Sequence, residues 1–486
     1  MHYHLIGIAG AAMSSLAGLL WEKGHRVTGS DHGVYPPMSS MLDQLRIDYA
    51  RAFGPANLES APDVVVVGNA ISRGNPELEA VLDRRLHYTS SAATVREEFL
   101  RGRHVLAVAG THGKTTTCSI LAWLLECAGL NPAFLVGGVA ANFGRSFRLT
   151  DSELFVIEAD EYDTAYFDKG PKMWHYLPHT AVVTNVEFDH ADIYRDEVAY
   201  RFAFERFVNL VPRTGTLVVG WETAAARELS AGSPAPVESY GMAGEQKGDH
   251  PRWRADQVRH GVDGTRFTAF HDGARMGDVE TPLSGVLNVR NCLAAIAAAH
   301  AVGAAWDGIR EGLSTFRGVQ RRMEIRGEVR GVTVVDDFAH HPTAVRETIA
   351  AVRQRFPERR VVAIFEPRSY TAQRREFQEP YRRALADADR VVLAGLFHPE
   401  RYDRETGLDP EQLAASLRSD GISADYIPEV DAIVEEVAPG ARAGDILLVM
   451  SNGSFGGIHD KLRAALGRDA AQGGPPSGSD PQGFSQ

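Results

Sequence analysis

The sequence His104-Val-Leu-Ala-Val-Ala-Gly110-Thr-His-Gly113-Lys114-Thr115-Thr116-Thr117 sets the reading of everything around it. An apolar run stops at Gly110 and a helical pattern begins after Lys114, which predicts a strand, a glycine turn and a helix start. Successive amides in such a turn, with the unsatisfied amides of a first helical turn, make a concave anion site suited to the phosphates of a nucleotide. Lys114 is expected to reach the β- and γ-phosphates, and the Thr115 hydroxyl to ligand a Mg²⁺ that bridges them. Against the general pattern G-x-x-x-x-G-K-[ST], Val108 stands where the first glycine belongs, and the glycine lies at Gly110 instead.

Two further apolar runs end in groups that complete such a site. Leu154-Phe-Val-Ile delivers Glu158, Asp160, Glu161 and Asp163, and a carboxylate at the tip of a neighbouring strand is the usual partner of the magnesium. Thr180-Ala-Val-Val-Thr-Asn leads to Val186-Glu-Phe-Asp-His190, which puts His190 beyond a strand end in the same sheet. Asn288 and Asn291, one turn apart, share a face of a small-residue helix, where they either hold part of a nucleotide or, for Asn288, cap the helix.

Around this centre the chain reads as three α/β domains. Residues 1–100 open with a strand, the turn Gly7-Ile-Ala-Gly10-Ala-Ala-Met13, and a helix expected over Ser14–Lys23, followed by a strand ending in Ser30-Asp31. That is half of a dinucleotide-type fold, but Ala9 and Ala12 replace two fingerprint glycines, which disfavours a nicotinamide cofactor. Residues 101–323 carry the phosphate loop, and within them 212–282 hold strand-like segments without recognisable chemistry. Residues 324–468 return to a parallel strand and helix pattern, with Asp337 after Gly331-Val-Thr-Val-Val and Arg368 after Arg360–Phe365; residues 469–486, rich in Gly, Pro, Ser and Gln, read as a disordered tail.

The length of 486 residues suits about three domains of ordinary size. A net charge of −12 argues against nucleic-acid binding, which is held by basic surfaces. Three cysteines at Cys118, Cys127 and Cys292 make neither a metal-ligand spacing nor a disulfide framework, so a reducing cytosol and core positions are expected. No stretch of about twenty apolar residues predicts a membrane span.

Taken together, these motifs resemble the Mur ligases, ATP-dependent amide-forming enzymes of peptidoglycan synthesis, from Gly7 to Gly457. The loop Gly110-Thr111-His112-Gly113-Lys114-Thr115-Thr116 is similar to that family's own form, which accounts for the displaced glycine. The resemblance implies that Lys114, Glu158, His190, Asn288, Asn291, Arg322 and Asp337 serve ATP and metal, with Thr115, Glu158 and His190 the metal set. It also implies that Gly10, Met13, Ser30 and Asp31 hold a UDP-sugar, that Arg368 pairs with a peptide carboxylate, and that Arg322 and Asp337 close over the nucleotide from the third domain. Later-step members carry a lysine soon after the His190 motif, but none occurs here between Lys172 and Lys247. The chain therefore resembles the branch that acts on UDP-N-acetylmuramate itself, with either L-alanine or the peptide L-alanyl-γ-D-glutamyl-meso-diaminopimelate as amine. Tyr35-Pro-Pro-Met, Gly68-Asn-Ala-Ile-Ser-Arg-Gly-Asn-Pro, Glu366-Pro-Arg-Ser and Met450-Ser-Asn-Gly-Ser-Phe-Gly-Gly are similar to the peptide-adding, cell-wall-recycling group. Tyr370 departs from it, since that group tends to carry Asn there. Two readings from other classes stand beside this one: an ATP-binding switch that ligates nothing, and a dehydrogenase built on the first domain.

Overall fold

Continuous apolar runs such as Val64–Val67 and Val361–Phe365 are buried along their whole length, as strands covered on both faces require. They belong to three largely parallel sheets. The structure, a computed structural model, describes residues 1–35, 38–189, 193–245, 250–370, 372–397, 399–401 and 405–472. The chain divides into two compact units, Met1–Gln320 and Arg321–Gln486.

The first unit holds two of the sheets. Strands β1 (His2–Ile6), β2 (Arg26–Ser30), β3 (Asp48–Ala50), β4 (Val64–Val67) and β5 (Tyr88–Ser90) pair in the order β3-β2-β1-β4-β5, all parallel. The second sheet takes β6 (His104–Ala109), β7 (Ala133–Ala140), β8 (Arg145–Arg148) and β9 (Leu154–Glu158). A separate hairpin, β10 (Asp163–Ala165) and β11 (Asp168–Pro171), precedes its next strand, β12 (Thr180–Val183). The sheet is completed by β13 (Thr216–Gly220), β14 (Val237–Met242), β15 (Trp253–Gly261), β16 (Gly264–His271) and β17 (Ala274–Thr281). Its order is β17-β16-β15-β14-β13-β12-β6-β9-β7-β8. The segments within 212–282 thus extend the phosphate-loop sheet, with β15–β17 turning antiparallel. Register does the placing: Val108 lies opposite Glu158 and Ala109 opposite Val183, so β6, β9 and β12 deliver their carboxyl ends side by side.

In the second unit, β18 (Glu324–Val329), β19 (Val332–Asp337), β20 (Val361–Phe365), β21 (Arg390–Leu393), β22 (Ser423–Tyr426) and β23 (Ile446–Met450) pair in the order β18-β19-β23-β20-β21-β22. The edge strand β18 is antiparallel, a departure from the wholly parallel sheet expected, because a short turn at Arg330-Gly331 returns the chain directly. The first helix spans Ala11–Glu22, beginning three residues before the expected Ser14 since Gly10 already ends the turn. The last helix, Ile458–Gln472, runs into the stretch read as a tail, carried by alanines of high helix propensity. Residues 473–486 lie outside the described residues. Cys118 and Cys292 are core residues, their thiols pushed up by burial, that of Cys292 to about 12; Cys127 is only half-buried.

Candidate functional site

The turn after β6 is hung on the segment that follows β12. Asn185 accepts from the Thr111 amide through its carbonyl (3.1 Å) and from the His112 amide through its side chain (2.9 Å), while Thr184 donates to the His112 carbonyl (2.6 Å). The Thr111 hydroxyl reaches the Glu187 carbonyl (2.8 Å) and the Tyr200 hydroxyl (2.9 Å), and the His112 ring meets Glu187 at 3.1 Å. Gly110 and Gly113 both have positive φ, at 135° and 84°. A Cβ on Gly110 would strike the Thr184 hydroxyl, and one on Gly113 the Asn291 amide. The two glycines therefore make room for other protein groups. Gly113 puts no side-chain cap on helix Lys114–Cys127, which leaves that helix start to an anion.

Lys114 folds over this turn. Its ammonium donates to the Gly110 carbonyl (2.6 Å) and pairs with the fully buried Glu161 carboxylate (2.7 Å). Burial alone would depress the pKa of the lysine; Glu161, Asp160 and Glu158 more than reverse that, so the charged form is favoured. Glu161 was legible only as one of four acids in a run, and nothing in the sequence marks it as the one inside. Tyr194 and Tyr200, which touch its carbonyl (2.6 Å) and its carboxylate (3.4 Å), were not foreseen either.

The Thr115 hydroxyl donates to the Glu158 carboxylate at 2.9 Å, and the Gly137 amide donates to the other carboxylate oxygen at 2.7 Å. Burial pushes Glu158 up, and Lys114, the Gly137 amide and the Thr115 hydroxyl offset this only in part. A desolvated carboxylate short of positive charge beside a hydroxyl is an all-oxygen donor pair that fits a hard divalent cation. His190 lies outside the described residues.

Asn291 is buried against the turn, accepting from the Thr117 hydroxyl (3.3 Å) and donating to Asn288 (3.1 Å). Asn288 in turn donates to the Ser284 carbonyl (2.8 Å) at the start of helix Val286–Ala301. The two amides therefore do share a face, and that face looks onto the phosphate loop.

At the carboxyl ends of the first sheet, Asp31 accepts from the Ala9 amide (2.9 Å) and the Gly33 amide (3.1 Å), and Gly10 starts the first helix. Met13 is buried in the core. Ser30, expected to face a UDP-sugar, instead turns its hydroxyl inward to Glu77 (2.9 Å). A donor with a buried carboxylate in reach is not left facing solvent.

In the second unit, Asp337 is buried with its oxygens engaged by the amides of Met323 and Ala339 (both 2.8 Å) and the Thr348 hydroxyl (3.2 Å). Burial raises its pKa, relieved in part by Arg322 and these donors. It thereby orders the Arg321–Met323 turn, where Arg321 and Met323 have positive φ and the Arg322 guanidinium lies 4.8 Å above the Phe338 ring. Arg368 rests on the Phe397 ring, 3.5 Å from its centre, with Glu366 at 3.7 Å. It is a partly exposed, preoriented cation suited to a carboxylate.

Three family models match in succession: the Mur ligase family catalytic domain over residues 2–102, the Mur ligase middle domain over 108–299 and the Mur ligase glutamate ligase domain over 321–453. The chain is 41% identical to the UDP-N-acetylmuramate:L-alanyl-γ-D-glutamyl-meso-2,6-diaminoheptandioate ligase of Haemophilus influenzae, covering 95% of this chain and 98% of that protein. It is also 41% identical to the ligase of the same name from Escherichia coli K12, over 97% of this chain and 99% of that one. A murein peptide ligase from Psychrobacter arcticus 273-4 is similar in structure, with a TM-score of 0.72 at 37% identity, covering 96% of this chain and 99% of that chain. No helix among the described residues is long and apolar enough to cross a membrane.

Proposed function

The chain belongs to the Mur ligase family, and from that premise we propose how its own residues carry the reaction. It is an ATP-dependent ligase that forms an amide between UDP-N-acetylmuramate and the α-amine of L-alanyl-γ-D-glutamyl-meso-diaminopimelate. A carboxylate does not react with an amine, because oxide is too poor a leaving group. Transfer of the γ-phosphoryl of ATP to the lactyl carboxylate breaks the bond to ADP and forms an acyl phosphate. The amine then attacks the carbonyl carbon, loses a proton, and phosphate departs.

The observation that carries this reading is the pairing of Lys114 with the buried Glu161 carboxylate and of Thr115 with the half-buried Glu158 carboxylate at the mouth of a glycine turn. Phosphoryl transfer asks for positioning and charge neutralisation more than covalent help. Lys114 would leave Glu161 for the phosphates, while the amides of Gly113–Thr116 would cradle them, those of Thr111 and His112 being taken by Asn185. Thr115 and Glu158, with His190, would hold Mg²⁺, which supplies charge neutralisation on the transferred group. Asn288 and Asn291 brace the loop and the nucleotide; in the second unit, Arg322, on a turn fixed by Asp337, is a forked donor suited to phosphate. The Gly7–Gly10 turn with Asp31 receives the UDP-sugar, and Arg368 a carboxylate of the peptide.

Phosphate release is expected only when ATP, UDP-N-acetylmuramate and the peptide are all present. Release with ATP alone would favour the switch reading. In competition the peptide should be used with the higher kcat/KM; equal or better use of free L-alanine would overturn the choice of amine.

A further inference from the structure

The loop that receives the sugar nucleotide has a support that the reaction itself does not use. Glu77 sits in the first turn of helix Pro76–Asp83, behind an Asn75 cap, and is fully buried. Four donors from three other parts of the domain converge on it. One carboxylate oxygen accepts from His4 Nε2 (2.6 Å) and the Ser30 hydroxyl (2.9 Å). The other accepts from the Gly54 amide (3.0 Å) and Asn57 Nδ2 (2.6 Å). His4 is held from behind by Thr28, 2.8 Å from its Nδ1. Burial alone would raise the pKa of Glu77, yet His4, Asn57 and Gly54 together bring it below the ordinary carboxylate value, so the group is an anion.

A buried charge is a poor device for stability alone, since well-packed apolar residues often do as well or better. What this one fixes is the end of β2. The Ser30 carbonyl accepts from the amides of Gly7 (2.8 Å) and Ile8 (3.1 Å), and Asp31 accepts from the amide of Ala9. Three successive amides of the Gly7–Gly10 turn are thus set by Ser30 and Asp31, and Ser30 is set by Glu77. We infer that Glu77 is a positioning residue for the sugar nucleotide: a buried anion that, through Ser30, holds the Gly7–Gly10 turn in binding geometry without touching the ligand. This rests on the reading that the turn receives the UDP-sugar.

The test is steady-state kinetics of the full chain carrying Glu77→Gln, Ser30→Ala or Asp31→Ala, with the melting temperature of each. A glutamine offers an NH₂ where donors converge, so Glu77→Gln should raise the KM for UDP-N-acetylmuramate about tenfold, the scale of one lost charge-assisted hydrogen bond. The KM values for ATP and peptide, and kcat, should stay within about twofold of the parent, because among the described residues β2 pairs only with β1 and β3 of the first sheet. Glu77→Asp, which keeps the charge, should recover part of the loss. Ser30→Ala removes one donor only and should raise the same KM alone, which decides the matter if Glu77→Gln does not fold. Equal losses for all three substrates, or an unchanged KM for UDP-N-acetylmuramate in Ser30→Ala, would overturn the inference. If Asp31→Ala raises that KM while Ser30→Ala and Glu77→Gln do not, the inference fails and the site reading survives; if Asp31→Ala leaves it unchanged, both fall.

Discussion

Lys114 is held between two demands, a desolvated position and a permanent charge, and Glu161 reconciles them. Removing the ammonium removes the lysine charge held at the turn, so Lys114→Ala should lower kcat by at least about a thousandfold with either amine, the order attached to charge stabilisation in phosphoryl transfer. Turnover within tenfold of the parent would remove the phosphate-loop assignment. At this scale the sequence was informative where chemistry depends on spacing. Gly-Lys-Thr after a strand places Lys114 and Thr115, and the next apolar run places Glu158 beside them. It was silent where burial decides. Among Glu158, Asp160, Glu161 and Asp163 no local signal says that Glu161 points inward, and the inward turn of Ser30 depends on Glu77, which is 47 residues away.

At the scale of elements, helix Ala11–Glu22 docks on β8 by a row of contacts. Ser15 meets Ser146 at 2.8 Å, Phe147 covers Gly18, and Glu22 accepts from Arg145 (2.7 Å) and the Leu149 amide (2.8 Å). The Arg145 pair is exposed and contributes little, so the seat is the Gly18–Phe147 contact. Gly18→Val should destabilise the first unit by about 1–3 kcal/mol through overpacking, read from urea midpoints. Adding Phe147→Ala should return part of it, since residues in contact couple; additive effects would show that the contact is not the seat. In the second unit, Asp336 pairs with His459 at 3.2 Å and Arg321 at 3.4 Å. Burial would raise its pKa, but His459 and Arg321 hold it below 3.8. A carboxyl with a depressed folded pKa stabilises above its unfolded value and loses that contribution as pH falls through the folded one. Asp336→Asn should therefore lower the urea midpoint at pH 7 and flatten its fall below about pH 4; an unchanged acid limb would contradict this. Helices and parallel strands were legible because apolar runs and turn residues mark them. The continuation of the central sheet through β15–β17 was not, because half-exposed antiparallel strands leave only weak alternation.

For the whole molecule, the decisive pattern was the repeated delivery of polar groups at the carboxyl ends of parallel strands: Ser30-Asp31 in the first sheet, Gly110, Glu158 and Thr184-Asn185 in the second, Asp337 and Ser451 in the third. Ligands of open α/β sheets bind at such edges. The succession of three α/β sheets was readable from motif order alone, whereas the choice of amine rests on similarity over the full length. The account turns on activation of the muramyl carboxylate by ATP. UDP-N-acetylmuramate labelled with ¹⁸O in its lactyl carboxylate, turned over with ATP and the peptide, should yield inorganic phosphate carrying one ¹⁸O atom. Unlabelled phosphate, with the amide still formed, would contradict it.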